Sequence, residues 1–194
     1  MKRIMTKQFE VIHLCNPTER LHSADYLQLG IDEGRRLLVV GEAPAPNGWR
    51  VSGRAFYTPN GRLLPTGARL NELLSPLCMS VETVGFTELV KCFVGQKRSL
   101  LRECDTKTWN IFLEQVQLTD PHIIVVLGKA THETFQYLYK QPLEFGKIVD
   151  ITMAGKPRKL LSIYHPSPIS PTSRQRNQEI FNTVLPEVQQ LLSS

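Results

Sequence analysis

An α/β fold, a three-layer α/β/α sandwich around a central, mainly parallel four-stranded sheet, is what the sequence predicts, and three observations predict it. Four short apolar, β-branched runs stand out, at Leu37–Val40, Thr83–Val90, Ile123–Leu127 and Lys159–Tyr164. The first, third and fourth are nearly continuous in hydrophobicity rather than alternating, as strands covered on both faces of a parallel sheet are. Helical patterns separate them, with connections long enough for crossovers.

The elements follow in order. The first thirty or so residues have no clear period and read as a helical or irregular lead-in. Between the first two strands, Leu63, Leu64, Leu70, Leu73, Leu74 and Leu77 mark a helix over Leu63–Leu77. Trp109, Phe112, Leu113 and Val116 repeat the helical spacing until Asp120-Pro121 stops it, because the residue before proline is driven out of the helical region. Thr131–Tyr139 and Gln178–Leu192 complete the set. No internal repeat or low-complexity tract interrupts this order, and the 194 residues suffice for one core and not two, so a single domain over 1–194 is expected.

Composition narrows the function classes. No run approaches the roughly eighteen apolar residues of a membrane span, and Met1-Lys2-Arg3 leads into polar positions rather than a signal-peptide core. A cytoplasmic, monomeric protein without membrane contact is the expectation. Lys plus Arg total 23 against 18 Asp plus Glu, a formal charge of +5. That balance permits a polyanionic partner without requiring one. The cations cluster: Arg50, Arg54, Arg62 and Arg69; then Lys97, Arg98 and Arg102; then Arg174 and Arg176. For any one of them a solvated basic face is the ordinary reading. The four cysteines, Cys15, Cys78, Cys92 and Cys104, include no Cys-x-x-Cys pair, so reduced thiols are expected.

In open α/β sheets functional groups gather beyond the carboxyl ends of the strands. After the first strand comes Gly41-Glu42-Ala43-Pro44, which leaves one carboxylate at the sheet edge, and further on the turn-rich Gly53-Arg54-Ala55-Phe56-Tyr57 continues through Gly61 to Leu64. After the second comes Glu88-Leu89-Val90-Lys91-Cys92, and after the third Gly128-Lys129-Ala130. The fourth is followed by His165-Pro166-Ser167-Pro168-Ile169-Ser170-Pro171, whose prolines hold one imidazole and two hydroxyls with little freedom.

Four of these stretches in this order, Gly41-Glu42-Ala43-Pro44, Gly53-Arg54-Ala55-Phe56 through Gly61 to Leu64, Val90-Lys91-Cys92 and His165-Pro166-Ser167-Pro168, resemble the motifs of the uracil-DNA glycosylase superfamily, in particular the family-four enzymes of bacteria and archaea, and the resemblance runs from about Leu37 to the C-terminus. The resemblance implies an enzyme that flips a nucleotide into a pocket and hydrolyses the bond between base and deoxyribose. Its partner would be single- or double-stranded DNA. As the bond breaks the sugar becomes oxocarbenium-like and the base becomes an anion. The resemblance therefore gives Glu42 the role of positioning water and countering positive charge, and His165 that of donating a hydrogen bond to the leaving base. Outside this context Glu42 could equally be a helix cap or surface ion pair, and His165 a structural histidine. Phe56 falls where the family stacks an aromatic on the base, although a loop-anchoring core role competes; Ala43 and Glu88 line the base site by the same correspondence. Ser167, Ser170, Arg174 and Arg54 correspond to positions near the DNA backbone, where hydroxyls and cations contact phosphates.

The sequence departs from the family at two places. Glu88 stands where the family carries an asparagine whose amide donates to uracil O4 and accepts from N3–H. An ionised carboxylate only accepts, a mismatch costing about 1–3 kcal/mol for a buried unpaired group. The pocket then reads a base with more donors, or Glu88 is protonated and mimics the amide, or excision is lost and the protein binds nucleic acid or a nucleotide on the same fold. The second departure concerns the family's four-cysteine iron–sulfur cluster. Cys92 and Cys104 could stand for one pair, but Cys15 has no neighbouring partner, so neither cofactor nor metal is expected. An unrelated nucleotide-binding fold lacks support, since there is no Gly-x-Gly-x-x-Gly and no Gly-Lys-Ser/Thr loop.

Overall fold

A computed structural model describes residues 10–12, 20–22, 26–31, 36–44, 49–91 and 101–193. Its centre is a sheet of six strands in the order β3-β5-β4-β6-β8-β7. The strands are β3 (Leu27–Gln28), β4 (Leu37–Gly41), β5 (Gly85–Glu88), β6 (Ile123–Leu127), β7 (Ile148–Met153) and β8 (Lys156–Ile163). The four expected strands are β5, β4, β6 and β8, which lie side by side and parallel. The α/β fold class stands, but the sheet has two strands more than expected: β3 and β7 are added antiparallel at its two edges. The lead-in also differs from expectation, since β1 (Glu10–Ile12) and β2 (Arg20–His22) pair antiparallel as a separate two-stranded sheet.

The continuous hydrophobicity of the central strands has a direct structural cause. Alternate side chains of a strand point to opposite faces, and here both faces are covered. Leu37 and Val39 of β4, with Ile123, Val125 and Leu127 of β6, pack in one cluster with α2 (Pro65–Leu74) and α5 (Pro171–Ser193). Leu38 and Val40, with Ile124 and Val126, pack in the other with α3 (Leu101–Thr119) and α4 (Lys129–Tyr139). This is the three-layer sandwich.

Local chemistry ends the elements where they end. Leu63–Leu77 becomes α2 followed by a 3-10 turn at Ser75–Leu77, closed by Cys78 in the left-handed region. The β7–β8 hairpin turns through Ala154 and Gly155, both at positive φ, the geometry whose twist suits a two-residue hairpin. Asp120, just past α3, takes hydrogen bonds from the buried Arg158 and from Lys156. Those bonds hold its carboxyl below the usual aspartate range. Arg158 also donates to the Pro121 and Met153 carbonyls, tying the base of the sheet far from the strands' carboxyl ends. Among the described residues no helix is long and apolar enough to cross a membrane.

Candidate active site

The position of the site follows from the connections. After β4 the chain passes to α2 on one face of the sheet, and after β6 it passes to α4 on the other. The two chains part between neighbouring parallel strands and leave a crevice at their carboxyl ends. A cavity of about 320 Å³ lies there, within the size range of small-ligand sites. Each of the four parallel strands delivers a side chain or turn to it: Glu42 after β4, Glu88 at the end of β5, Gly128 after β6 and His165 after β8. Ala43 and Phe56 line it too. The residues the sequence proposes for catalysis and base binding, Glu42, Ala43, Phe56, Glu88 and His165, thus meet in one pocket.

Glu42 is half-buried just past β4, and the Gly41 and Glu42 carbonyls accept from Leu89 and Val90 N–H at 2.8 and 2.9 Å. These bonds extend the pairing of β4 and β5 beyond the strands and fix both acidic residues. Glu88 is only 8% exposed. A methyl group on Gly41 would lie 2.2 Å from a Glu88 carboxyl oxygen, so the glycine at the end of β4 is what lets that carboxyl lie across the strand. Burial raises the Glu88 pKa to about 8; Lys91 opposes the shift and Glu42 adds to it.

Lys91, part of the Val90-Lys91-Cys92 stretch but given no role from the sequence, is fully buried. Its ammonium donates to Thr87 Oγ1 at 2.7 Å, to Gln115 Oε1 at 2.6 Å and to the Glu88 backbone carbonyl. Thr87 in turn donates to the Tyr26 carbonyl at 2.7 Å. Burial lowers the Lys91 pKa, with Glu88 opposing.

The aromatic wall combines the two roles that competed for Phe56. Its ring meets Phe86 edge-on at 4.4 Å, and Phe86 lies 5.4 Å from Trp49. All three reach the pocket, so Phe56 is core and lining at once. Its backbone sits at φ 64°, which costs a non-glycine residue about 1–2 kcal/mol, and the Leu64 N–H donates to its carbonyl at 2.7 Å to hold it. Gly67 of α2 packs against this corner: a methyl group there would lie 2.8 Å from Phe56 Cβ and 2.7 Å from Leu63 Cδ1. Gly67→Ala gains about 1 kcal/mol in helix propensity, against about 1–3 kcal/mol for overpacking. The expected outcome is a lower melting temperature; a rise would mean that the Phe56 loop yields freely.

His165 is presented by a loop clamped on both sides. The buried Asn177 of α5 accepts from the Tyr164 N–H and donates to its carbonyl, both at 2.8 Å. Gly128, at φ 96°, leaves room that a methyl group would narrow to 3.2 Å from His165 Cβ. The residue retains an exposed edge, but burial on the pocket side lowers the imidazole pKa, with Glu42 opposing. Asn177 carries no motif that marks it in the sequence.

The remaining candidates lie outside the pocket. Ser167 and Arg174 line a smaller cleft with Arg69. Arg174 pairs with Glu72 at 3.1 Å across an exposed surface. Ser170 exchanges hydrogen bonds with Thr172 and Ser173 at the start of α5. Arg54 pairs with Glu82 at 2.9 Å and lies 4.2 Å over the Tyr57 ring, so a phosphate there competes with a carboxylate. Cys15 and Cys92 lie outside the described residues, as do Lys97 and Arg98. Cys78 is exposed at the turn after α2 and Cys104 is buried in α3. Among the described residues no group of three or more His, Cys, Asp or Glu could hold a metal.

Comparison with known proteins points to one family. Two curated type-4 uracil-DNA glycosylases are similar to the chain. The Archaeoglobus fulgidus protein is 26% identical over 162 residues, covering 79% of this chain and 77% of its own. The Thermotoga maritima protein is 28% identical over 165 residues, covering 81% and 77%. The family model described as the uracil DNA glycosylase superfamily matches residues 30–189, from just before β4 to the last turns of α5, and with it every residue of the pocket. The chain belongs to the uracil DNA glycosylase superfamily.

Proposed function

We propose that the protein is a DNA glycosylase that hydrolyses the N-glycosidic bond of a flipped uracil or other deaminated or damaged base. One observation carries this reading: a carboxylate, Glu42, and an imidazole, His165, share a partly apolar cavity at the carboxyl end of the sheet. A surface that only bound DNA would gain nothing from a carboxylate set toward a polyanion. Hydrolysis needs one, because positive charge develops on the sugar while negative charge leaves with the base. In this scheme Glu42 orients the attacking water and faces the oxocarbenium-like sugar. His165 donates to the departing base, for which a neutral imidazole suffices. Phe56, backed by Phe86, supplies an apolar surface for the base, and Ala43 adds to the pocket floor. Ser167, Ser170, Arg174 and Arg54 would contact the backbone of single- or double-stranded DNA bound by a monomer, with Arg174 and Arg54 exchanging exposed carboxylate partners for phosphates. Such exposed pairs are worth about 0–1 kcal/mol and are readily given up.

The test is release of base from labelled oligonucleotides containing one uracil, hypoxanthine, xanthine or damaged pyrimidine, with wild type beside Glu42→Gln. Glu42→Gln keeps the size of the side chain and removes its charge. The expected result is release of at least one base by wild type and a loss of about 10²–10³ in rate for the variant. A specific observation supports a second reading, a nucleic-acid-binding protein without catalysis: Glu88 occupies the position of a base-reading amide. DNA binding by wild type with no release of any base would establish that one.

A further inference from the structure

The Glu88 carboxyl is the group whose surroundings demand an account. It is 92% buried, it lines the pocket, and its oxygens take part in no hydrogen bond or ion pair among the described residues. The adjacent cation does not serve it. Lys91 has three N–H donors, and they go to Thr87, Gln115 and the backbone carbonyl of Glu88. A buried carboxylate that is neither paired nor hydrogen-bonded is strongly disfavoured, and neutralisation is the usual outcome. The groups that face it act in the same sense or only partly against it. Glu42, from the end of β4, repels a second negative charge, and Lys91 alone attracts one. His165, beyond β8, and Lys129, at the start of α4, complete the ionisable lining of the pocket.

We propose that Glu88 reads the extruded base as a neutral carboxylic acid, donating from its O–H and accepting at its C=O, and so selects a base that presents an N–H beside a carbonyl, as uracil does. This rests on the glycosylase reading above. A carboxylic acid offers one donor and one acceptor about as far apart as those of a carboxamide. It can therefore meet the N3–H and O4 of uracil where a carboxylate would set lone pairs against O4. The burial that raises the pKa of Glu88 to about 8 keeps the acid form present at neutral pH. The sign is fixed: the acid form is present below that value and lost above it, so uracil excision falls on the alkaline side.

The experiment measures uracil release from single-stranded oligonucleotides between pH 6 and 9.5 for wild type, Glu88→Gln and Glu88→Ala. Glutamine keeps a donor and an acceptor at every pH, so the pair isolates ionisation of residue 88 from that of the other groups, which all three proteins share. Wild type is expected to lose about tenfold in rate per pH unit above its midpoint. Glu88→Gln, whatever its absolute rate, is expected to lack that descending limb, and Glu88→Ala to be slow throughout. Infrared difference spectra of wild type against Glu88→Gln read the same proton without substrate, as a carboxylic-acid carbonyl band present at pH 6.5 and lost in alkali. The inference is overturned if that band is absent, if the two pH profiles coincide, or if only Glu88→Gln releases uracil; in the last two cases the glycosylase reading stands. If no protein releases uracil the inference is overturned, and if wild type also releases none of the other bases in the oligonucleotide series above, the glycosylase reading itself fails.

Discussion

His165→Ala is expected to lower base release by about 10²–10⁴-fold, the range over which removing a single donor or general acid acts, with the fold intact. The side chain keeps an exposed edge, so its removal leaves no sealed cavity. The backbone that presents it is held by Asn177 through Tyr164, not by the imidazole. The rate loss belongs in the chemical step, because a neutral ring placed against the base carbonyl gains strength only as negative charge accumulates there. Single-turnover rates with DNA in excess of its dissociation constant, together with DNA affinity, separate the two effects. A variant that binds DNA as wild type does but cleaves slowly agrees with this role, whereas weakened binding at an unchanged rate contradicts it. Since burial lowers the imidazole pKa, the ring is already neutral at pH 7. Raising the pH from 7 to 8 should therefore change the wild-type rate little through His165, leaving the alkaline limb to Glu88. For stability the sign is opposite to that of a paired histidine: the folded state resists protonating this ring, so acidification through its ordinary value of 6.5 disfavours the fold.

The sequence made the parallel core legible because burial on both faces leaves continuous apolar runs, as in Leu37–Val40 and Ile123–Leu127. The same physics hides the edges. In β7, Asp150 and Thr152 face solvent on either side of the buried Ile151, and β3 is two residues long, so neither gives a run. The hairpin turn at Ala154-Gly155 lacks the asparagine or aspartate that usually announces positive φ. At the site, Glu42 and His165 were readable because glycine and proline surround them at strand ends. Lys91 was not, since a lysine in sequence is read as a surface charge; only the fold brings Gln115 of α3 and Thr87 of β5 to its ammonium. Asn177 was hidden for the same reason: its partner backbone is thirteen residues earlier on another element.

Phe135→Ala is expected to cost about 3–5 kcal/mol of stability, the range for deleting a fully buried aromatic. The ring is fully buried between α3 and α4, with Trp109 at 5.5 Å, Phe112 at 5.8 Å and Tyr139 at 6.3 Å. Phe112 and Trp109 already pack on one another at 5.2 Å, so they cannot both swing into the space the ring leaves, and the cavity persists. The effect should reach the pocket by a short path. The first turn of α4, Lys129-Ala130-Thr131, is pocket wall, and Phe135 lies one turn further on as the buried anchor of that helix. A loosened α4 frees Gly128, against which His165 packs. Chemical denaturation should therefore show a lower midpoint with an unchanged slope. Base release, near wild type at low temperature, should fall off at a temperature below that of global unfolding. Loss of activity only in step with global unfolding would show that α4 holds the pocket without its aromatic anchor.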